Sequence, residues 1–191
     1  ASLSSIKFKI KSQERLNTLR MTMPGRFMIQ KLLREAVNAG CQYAVLEVTS
    51  EGIKQYRHKF IDFSAAVFTN LSPEHIESHG GFENYRNAKV KLFKAVKNIH
   101  VINVDDENAK YFLQIPAKQK IKFSVKDAPN FNAMNVLSAT AVAKAYRIDE
   151  ETCKRALSKV RVIPVRMEVI QGEPFKVVVD YAHTPAQLES V

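Results

Sequence analysis

Tyr43-Ala44-Val45-Leu46-Glu47-Val48 and, further along, Ala65-Ala66-Val67-Phe68-Thr69-Asn70 decide the reading of this chain. Both runs are short, nearly all apolar and rich in β-branched or aromatic residues, as strands covered on both faces are. Glu47 closes the first and Thr69-Asn70 the second, and open α/β sheets place ligands at the C-terminal ends of their strands. Just before the first run, Phe27 to Val37 predicts a helix with Thr22 at the N-cap, Pro24 in the first turn and Gly40 as the stop. Its apolar stripe is Met28, Ile29, Leu32, Leu33, Ala36 and Val37. Ser50, Gln55 and Arg57 fall in the loop between the runs, so helix, strand, loop and strand follow in order. Such alternation predicts an α/β fold with a mostly parallel sheet flanked by helices.

Beyond the second run, Pro73-Glu74-His75-Ile76-Glu77-Ser78-His79-Gly80 leads to a helix from Phe82 to Lys97. At about 100° per residue, Tyr85, Ala88, Leu92, Phe93 and Val96 share a face. Lys89 falls inside that stripe, whereas Lys91, Lys94 and Lys97 point away from it. An inward lysine costs free energy unless its charge is paired or removed, and on this helix alone it reads as a snorkelling lysine at the stripe's edge. A strand from His100 to Val104 ends in Asp105-Asp106, and a short helix starts at Glu107. Strand Lys120–Val125, helix Asn132–Tyr146 and a helix capped by Asp149, with Glu150 and Glu151 in its first turn, complete an α/β domain. After Pro164 the pattern changes to two strands, Arg166 to Gln171 and Phe175 to Val179, joined by Gly172-Glu173-Pro174. The boundary is therefore expected between 161 and 166, giving one domain over 1–163 and the opening of another over 164–191.

With 191 residues and 46% hydrophobic content, the chain can bury a real core. No apolar stretch approaches the roughly 20 residues of a transmembrane helix, and Ala1 to Lys11 lacks the apolar segment of a signal peptide. A cytoplasmic location off the membrane is the expectation. Cys41 and Cys153 are isolated thiols with no metal-type spacing. The net charge of +10 attracts anions without naming one. Its basic residues are dispersed among acids rather than gathered in a block, which favours polyphosphate ligands or a solvated basic face over nucleic acid.

His75 and His79 sit at i and i+4, the spacing of one helix face. The zincin pattern needs Glu directly after the first His, and here Ile76 stands there. A strand-end carboxylate such as Glu47 with one imidazole and further oxygen ligands suits a Mg²⁺ that also binds phosphate, although Glu47 taken alone reads as a hydrogen-bonded strand end. Asp180-Tyr181-Ala182-His183-Thr184-Pro185 places an Asp and a His after a strand, a common nucleotide-site arrangement. No nucleophile elbow or similar context supports a serine or cysteine triad.

Taken in order, Glu-Val-Thr-Ser at 47–50, Phe-Thr-Asn-Leu-Ser-Pro-Glu-His at 68–75, His79-Gly80, Asn87-Ala88-Lys89, Phe131-Asn132-Ala133-Met134-Asn135, Arg166-Met167-Glu168 and Asp180 to Pro185 resemble the Mur ligases. The branch that adds the third residue of the peptidoglycan stem peptide is the nearest, and the resemblance runs from about Thr22 to Val191. It implies a P-loop-NTPase-like central domain followed by the start of a C-terminal α/β domain. The implied activity is ATP-dependent amide ligation through an acyl phosphate, with Mg²⁺ and positive groups neutralising the transferring phosphoryl group. The implied substrates are a UDP-N-acetylmuramoyl dipeptide and an amino acid, and the complete protein is expected to be a monomer that binds no nucleic acid.

By the same resemblance Glu47 and His75 are Mg²⁺ ligands, and Lys89 is carbamylated to help hold a second metal. Asn135 contacts the adenine with Asn132 in support, Arg166 faces the phosphates, Asp180 the ribose and His183 the nucleotide end of the cleft. Thr22, Ser50, Gln55 and Arg57 hold the muramoyl peptide, Arg57 being suited to an anionic group. Lys89, Arg166 and His183 are the residues expected at the chemistry.

The chain departs from the family pattern at Thr22-Met23-Pro24, Thr49-Ser50-Glu51 and Glu74-His75, and Val165 stands where a glycine usually precedes Arg-Met-Glu. No Gly-x-x-Gly-Lys-Thr occurs, and none of the six glycines precedes Lys-Ser or Lys-Thr. The expectation is a central-domain segment lacking its first strand and phosphate loop and inactive by itself. Two other readings remain at this stage: a folylpolyglutamate or cyanophycin synthetase-like ligase, and a non-catalytic module binding anions or nucleic acid.

Overall fold

Three short strands open the chain: β1 (Ser2–Leu3), β2 (Lys7–Ile10) and β3 (Gln13–Leu16). They pair antiparallel in succession, and β1 also pairs in parallel with β4 (Val45–Leu46), giving the order β3-β2-β1-β4. The structure is a computed structural model describing residues 1–19, 21–73, 76–126, 128, 131–160 and 162–189, without the side chains of Phe131, Pro185 and Ala186. Two compact units emerge, one of Ala1–Phe63 with His75–Ala95 and one of Ser64–Glu74 with Val96–Val191.

In the first unit, α1 (Arg26–Asn38) lays Ile29, Leu32 and Ala36 inward. Ile29 and Leu32 join Leu3, Phe8 and Met23 in a core lined further by Leu33, Leu46, Val48 and Ile61. The helix starts after Gly25, whose backbone is extended, and carries no side-chain cap. Thr22, the expected N-cap, instead shares a hydrogen bond with Ser5 (Oγ1 to Oγ 2.8 Å). Gly40, at φ +74°, ends the segment as expected, because a left-handed residue without Cβ costs little there. Helix α2 (Ser50–Lys54) is capped by Thr49, whose hydroxyl accepts from Gly52 N, and it packs with α3 (Ile76–His79) and α4 (Phe82–Ala95) in the same unit. On α4, Tyr85, Ala88 and Phe93 are buried, Lys91 and Lys94 are exposed, and Lys89 is half-buried, in line with the helical wheel.

The second unit is built on a parallel sheet ordered β5-β6-β7, from β5 (Ala65–Phe68), β6 (Ile99–Asn103) and β7 (Gln119–Phe123). These are the expected strands, the first shorter by two residues, the second displaced by one, and the third beginning one residue earlier and ending two earlier. Helix α5 (Ala109–Leu113) begins two residues later than expected, and its Phe112 stacks on Phe68 at 4.0 Å. Helix α6 (Phe131–Ala145) packs on β6 and β7. Val101, Ala141 and Ala145 form a core there, with Ile99, Ile121, Phe123, Val142 and Tyr146 around it. Asp149 caps α7 (Glu150–Leu157) as anticipated, accepting from Thr152 N at 2.7 Å. An antiparallel pair, β8 (Glu168–Gln171) with β9 (Val177–Val179), and the short α8 (Pro185–Glu189) close the chain. No helix among the described residues is long and apolar enough to cross a membrane.

Candidate functional site

The residues singled out from the sequence fall into two groups, one in each unit. In the first unit, Glu47 directly follows β4 and is exposed, and its carboxylate accepts from Ser5 N (2.8 Å) and Ser5 Oγ (3.0 Å to each oxygen). Thr22 reaches the same hydroxyl, so Ser5 joins a candidate metal ligand to a candidate substrate residue. Sequence reasoning passed over Ser5. It lies in a short polar turn, and its partner Glu47 is 42 residues away.

Around α2 a second polar strip forms. Ser50 is buried, and its Oγ lies 3.1 Å from Nε2 of His79, whose side chain is 3% exposed. Glu51 Oε2 stands 3.8 Å from the same nitrogen, while its other oxygen accepts from Gln55 Nε2 at 2.7 Å. The Arg57 guanidinium donates to Met23 O and Gln55 Oε1. Ser50, Glu51, Gln55, Arg57 and His79 thus make one connected surface, held by groups of the chain itself. Lys89 sits nearby on α4, its ammonium 5.2 Å over the Tyr85 ring, and Tyr85 in turn lies 5.4 Å from the His79 ring. His75 is outside the described residues.

Fitness for a metal can be judged from these donors. Among the described residues no group of three or more His, Cys, Asp or Glu side chains is placed to hold a metal ion. Glu47, with the hydroxyls of Ser5 and Thr22 beside it, offers hard oxygen donors on an exposed rim. That set fits Mg²⁺, which is usually bound through one or two carboxylates with water and substrate phosphate completing its shell.

In the second unit the strand ends open into a cleft of about 310 Å³. Thr69 and Asn70 after β5, and Phe123 and Val125 at the end of β7, line one part of it. Asn132 and Asn135 come from the first turns of α6, and Arg166, Asp180, Ala182 and Gln187 from the segments around β8 and β9. Four of the five nucleotide-site residues expected from the sequence therefore share this cleft. His183 does not line it; it is exposed, with Nδ1 2.8 Å from Tyr181 O and its ring edge-on to Tyr181 at 5.2 Å.

Asp180 is fixed by the backbone, its Oδ2 accepting from Met167 N (2.7 Å) and Oδ1 from Ala182 N (2.6 Å). The Met167 amide first, and the Arg166 charge among lesser causes, hold its carboxyl below the ordinary carboxylate value. Arg166 lies over the Tyr181 ring at 5.6 Å, which orients the guanidinium without consuming its five donors. Val165, just before it, has φ +54°, a conformation natural to glycine and costly for a β-branched residue.

A parallel sheet with an open polar cleft at the carboxyl ends of its strands defines an α/β domain of the ligand-binding class. The chain belongs to the Mur ligase middle-domain family, whose model matches residues 2–150. It is 31% identical to the UDP-N-acetylmuramyl-tripeptide synthetase of Roseiflexus sp. (strain RS-1), an alignment covering 99% of this chain and 47% of that protein. With the UDP-N-acetylmuramoyl-L-alanyl-D-glutamate--2,6-diaminopimelate ligase of Geobacillus thermodenitrificans (strain NG80-2), identity is 30% over 88% of this chain and 43% of the relative. A solved UDP-N-acetylmuramoyl-L-alanyl-D-glutamate--2,6-diaminopimelate ligase superposes with a TM-score of 0.74 at 25% identity, over 97% of this chain and 46% of that one. MurF from Acinetobacter baumannii shares the fold, with a TM-score of 0.67 at 18% identity over 78% of this chain and 41% of its own. The chain thus spans less than half the length of the curated relatives it matches.

Proposed function

We propose that this chain is the nucleotide-handling part of an ATP-dependent ligase that joins an amino acid to UDP-N-acetylmuramoyl-L-alanyl-D-glutamate through an acyl phosphate. The observation that carries this reading is the convergence of Asn132, Asn135, Arg166 and Asp180 on one cleft at the ends of β5 and β7, in a Mur ligase middle domain. The chemistry of each group suits its role. The Asn135 amide both donates and accepts, as the edge of adenine requires. Asp180, already ionised and anchored, keeps acceptor capacity for a ribose hydroxyl. Arg166 offers a planar fork for phosphate oxygens. His183, outside the cleft lining, serves at its nucleotide end.

In the first unit, Thr22, Ser50, Gln55 and Arg57 are assigned to the muramoyl peptide. Glu47 with His75 would hold Mg²⁺, which supplies charge neutralisation for the transferring phosphoryl group. Lys89 would lose one proton to become the free amine, whose nitrogen bonds the carbon of CO₂ and sheds a second proton, so that a half-buried ammonium is replaced by a carbamate able to face a cation. Residues 164–191 are assigned to the start of a following domain. The +10 net charge favours a substrate carrying a diphosphate and carboxylates, with no polynucleotide needed to account for it.

Calorimetric titration of the chain with ADP and ATP tests the reading. The wild-type chain binds both, and Arg166→Ala weakens binding by about 10- to 100-fold, the worth of hydrogen bonds to a charged group. No nucleotide binding by the wild type, or an unchanged affinity in the variant, overturns the assignment of the cleft.

A further inference from the structure

We infer that Asn103, Asp105 and Asp106, at the end of the central strand β6, form a clasp that sets the width of the nucleotide cleft by holding the strand ends on either side of it. The inference rests on the nucleotide reading of that cleft and assigns it positioning residues that touch no ligand.

In the order β5-β6-β7, β6 lies in the middle, and the cleft walls follow the outer two strands. Asn103 is 2% exposed. Its Nδ2 donates to Thr69 O at 2.7 Å across to the β5 side, and its Oδ1 accepts from Asp105 N at 3.1 Å. Asp106 takes the next position on that side, with Oδ2 accepting from Leu71 N at 2.7 Å. Its other oxygen accepts from Asn108 N (2.7 Å) and Asn108 Nδ2 (3.2 Å), which fixes the carboxylate plane. Asp105 turns the opposite way, its Oδ2 accepting from Ser124 Oγ (2.7 Å) and Val125 N (2.6 Å) on the β7 side. Val104 N adds a bond to Phe123 O at 3.0 Å.

Thr69, Asn70, Phe123 and Val125 all line the cleft. Each wall is therefore suspended from one short turn by bonds to its backbone, and the bonds from Asp105 and Asp106 carry charge and are correspondingly strong. Twisted strands diverge beyond their last ladder bond. Without the clasp, nothing in the ladder would fix the separation of the two loops. The acidic pair that closes β6 in the sequence thus acts as a brace. Its carboxylates are spent on amides and hydroxyls, and a metal role is not needed to explain them.

The experiment is an ADP titration of the 191-residue chain and its variants, with the amide resonances of Leu71 and Val125 followed by NMR. Asn103→Ala and Asp105→Ala are each expected to weaken ADP binding about tenfold, the equivalent of one lost hydrogen bond. Asp105→Asn, which keeps one acceptor, falls between them and the wild type. The Val125 amide signal moves upfield in both Asp105 variants and the Leu71 signal in Asp106→Asn. Asp149→Ala removes a helix cap in the same unit away from the clasp, so it lowers stability but leaves ADP affinity unchanged. Wild-type affinity in the clasp variants with the amide signals shifted overturns the inference, as does an effect equal to that of Asp149→Ala. Failure of the wild-type chain to bind ADP brings down the nucleotide reading itself and this inference with it, a result distinct from the other two.

Discussion

The two polar sites differ in what their side chains are already bonded to. In the first unit the candidate ligand groups are largely bonded already: Glu47 accepts from the Ser5 amide and hydroxyl, Ser50 faces His79, and Arg57 donates to Met23 O and Gln55. In the second, Asp180 and the clasp residues bond to backbone, while Asn132, Asn135 and Arg166 line an open cleft. A site whose polar groups satisfy each other must exchange those bonds when a ligand arrives, whereas one braced by its own backbone keeps its geometry at no such cost. The cleft of the second unit is thus preorganised, whereas the polar groups of the first are self-occupied.

The sharpest way to break the contrast is to loosen the scaffold of the preorganised side. Phe112 is fully buried and stacked on Phe68, directly before the Thr69 wall. Phe112→Ala is expected to cost about 3–5 kcal/mol through lost burial and the cavity left behind. Denaturant unfolding monitored by circular dichroism measures it. A cost below about 1 kcal/mol would mean that β5 and α5 are not held by this stack, and the claim of a rigid cleft floor would fail with it.

A smaller effect is expected from Gly52 in the self-occupied side. A Cβ there would stand 2.6 Å from Met23 Sδ and 3.1 Å from Thr49 Oγ1. Met23 is 1% exposed and has little room to yield. Overpacking costs roughly 1–3 kcal/mol, and the better helix propensity of alanine returns up to about 1 kcal/mol, so Gly52→Ala is expected to destabilise by about 1–2 kcal/mol. Thermal melting decides the sign. A stabilised variant would show that Met23 repacks, and that the region beneath α2 is softer than the bonding pattern implies.

Next in size is a gain. Val165 holds a left-handed conformation that costs a non-glycine residue about 1–2 kcal/mol, whereas glycine loses about 0.5–1 kcal/mol through its freer unfolded chain. Val165→Gly is therefore expected to raise stability by about 0.5–1 kcal/mol, read from the same melting experiment. A loss would mean that the half-buried valine side chain contributes more packing than its backbone strain removes.

How far the sequence disclosed all this follows the range of each interaction. β5 and β6 were legible as short apolar runs, α4 by the periodicity of its apolar face, and the Asp149 cap because its partner Thr152 is three residues away. Lys89 was singled out by the same periodicity and is half-buried where its neighbours Lys91 and Lys94 are exposed. The β2–β3 hairpin was missed for a local reason. Every residue of Gln13–Leu16 is exposed, so β3 has no apolar alternation, and the turn uses Lys11 at φ +52° in place of a glycine or asparagine. The backbone ladder and the buried Phe8 hold the strand pair, and Lys7 and Lys9 add exposed ion pairs to Glu14 at 2.5 and 2.6 Å that draw its carboxyl down to about 2. The clasp's bonds to its flanking walls and the Ser5–Glu47 link were illegible because their partners lie 19 to 42 residues apart, and no periodicity marks such pairs.

The smallest effect is expected at Ser5. If Ser5 only occupies Glu47 until a ligand replaces it, the bond must be weak enough to exchange. The pair is exposed, and hydrogen bonds exchanged with water contribute about 0.5–1.5 kcal/mol at most sites. Ser5→Ala is accordingly expected to lower stability by less than about 1 kcal/mol, because Ser5 N still donates to Glu47 and water replaces the hydroxyl. The same variant should show larger Mg²⁺-dependent shifts at the Glu47 amide in NMR titration, since its carboxylate is less committed. A loss of several kcal/mol would instead make Ser5 a fixed strut between β1 and β4, and Glu47 would then belong with the braced carboxylates of the other unit.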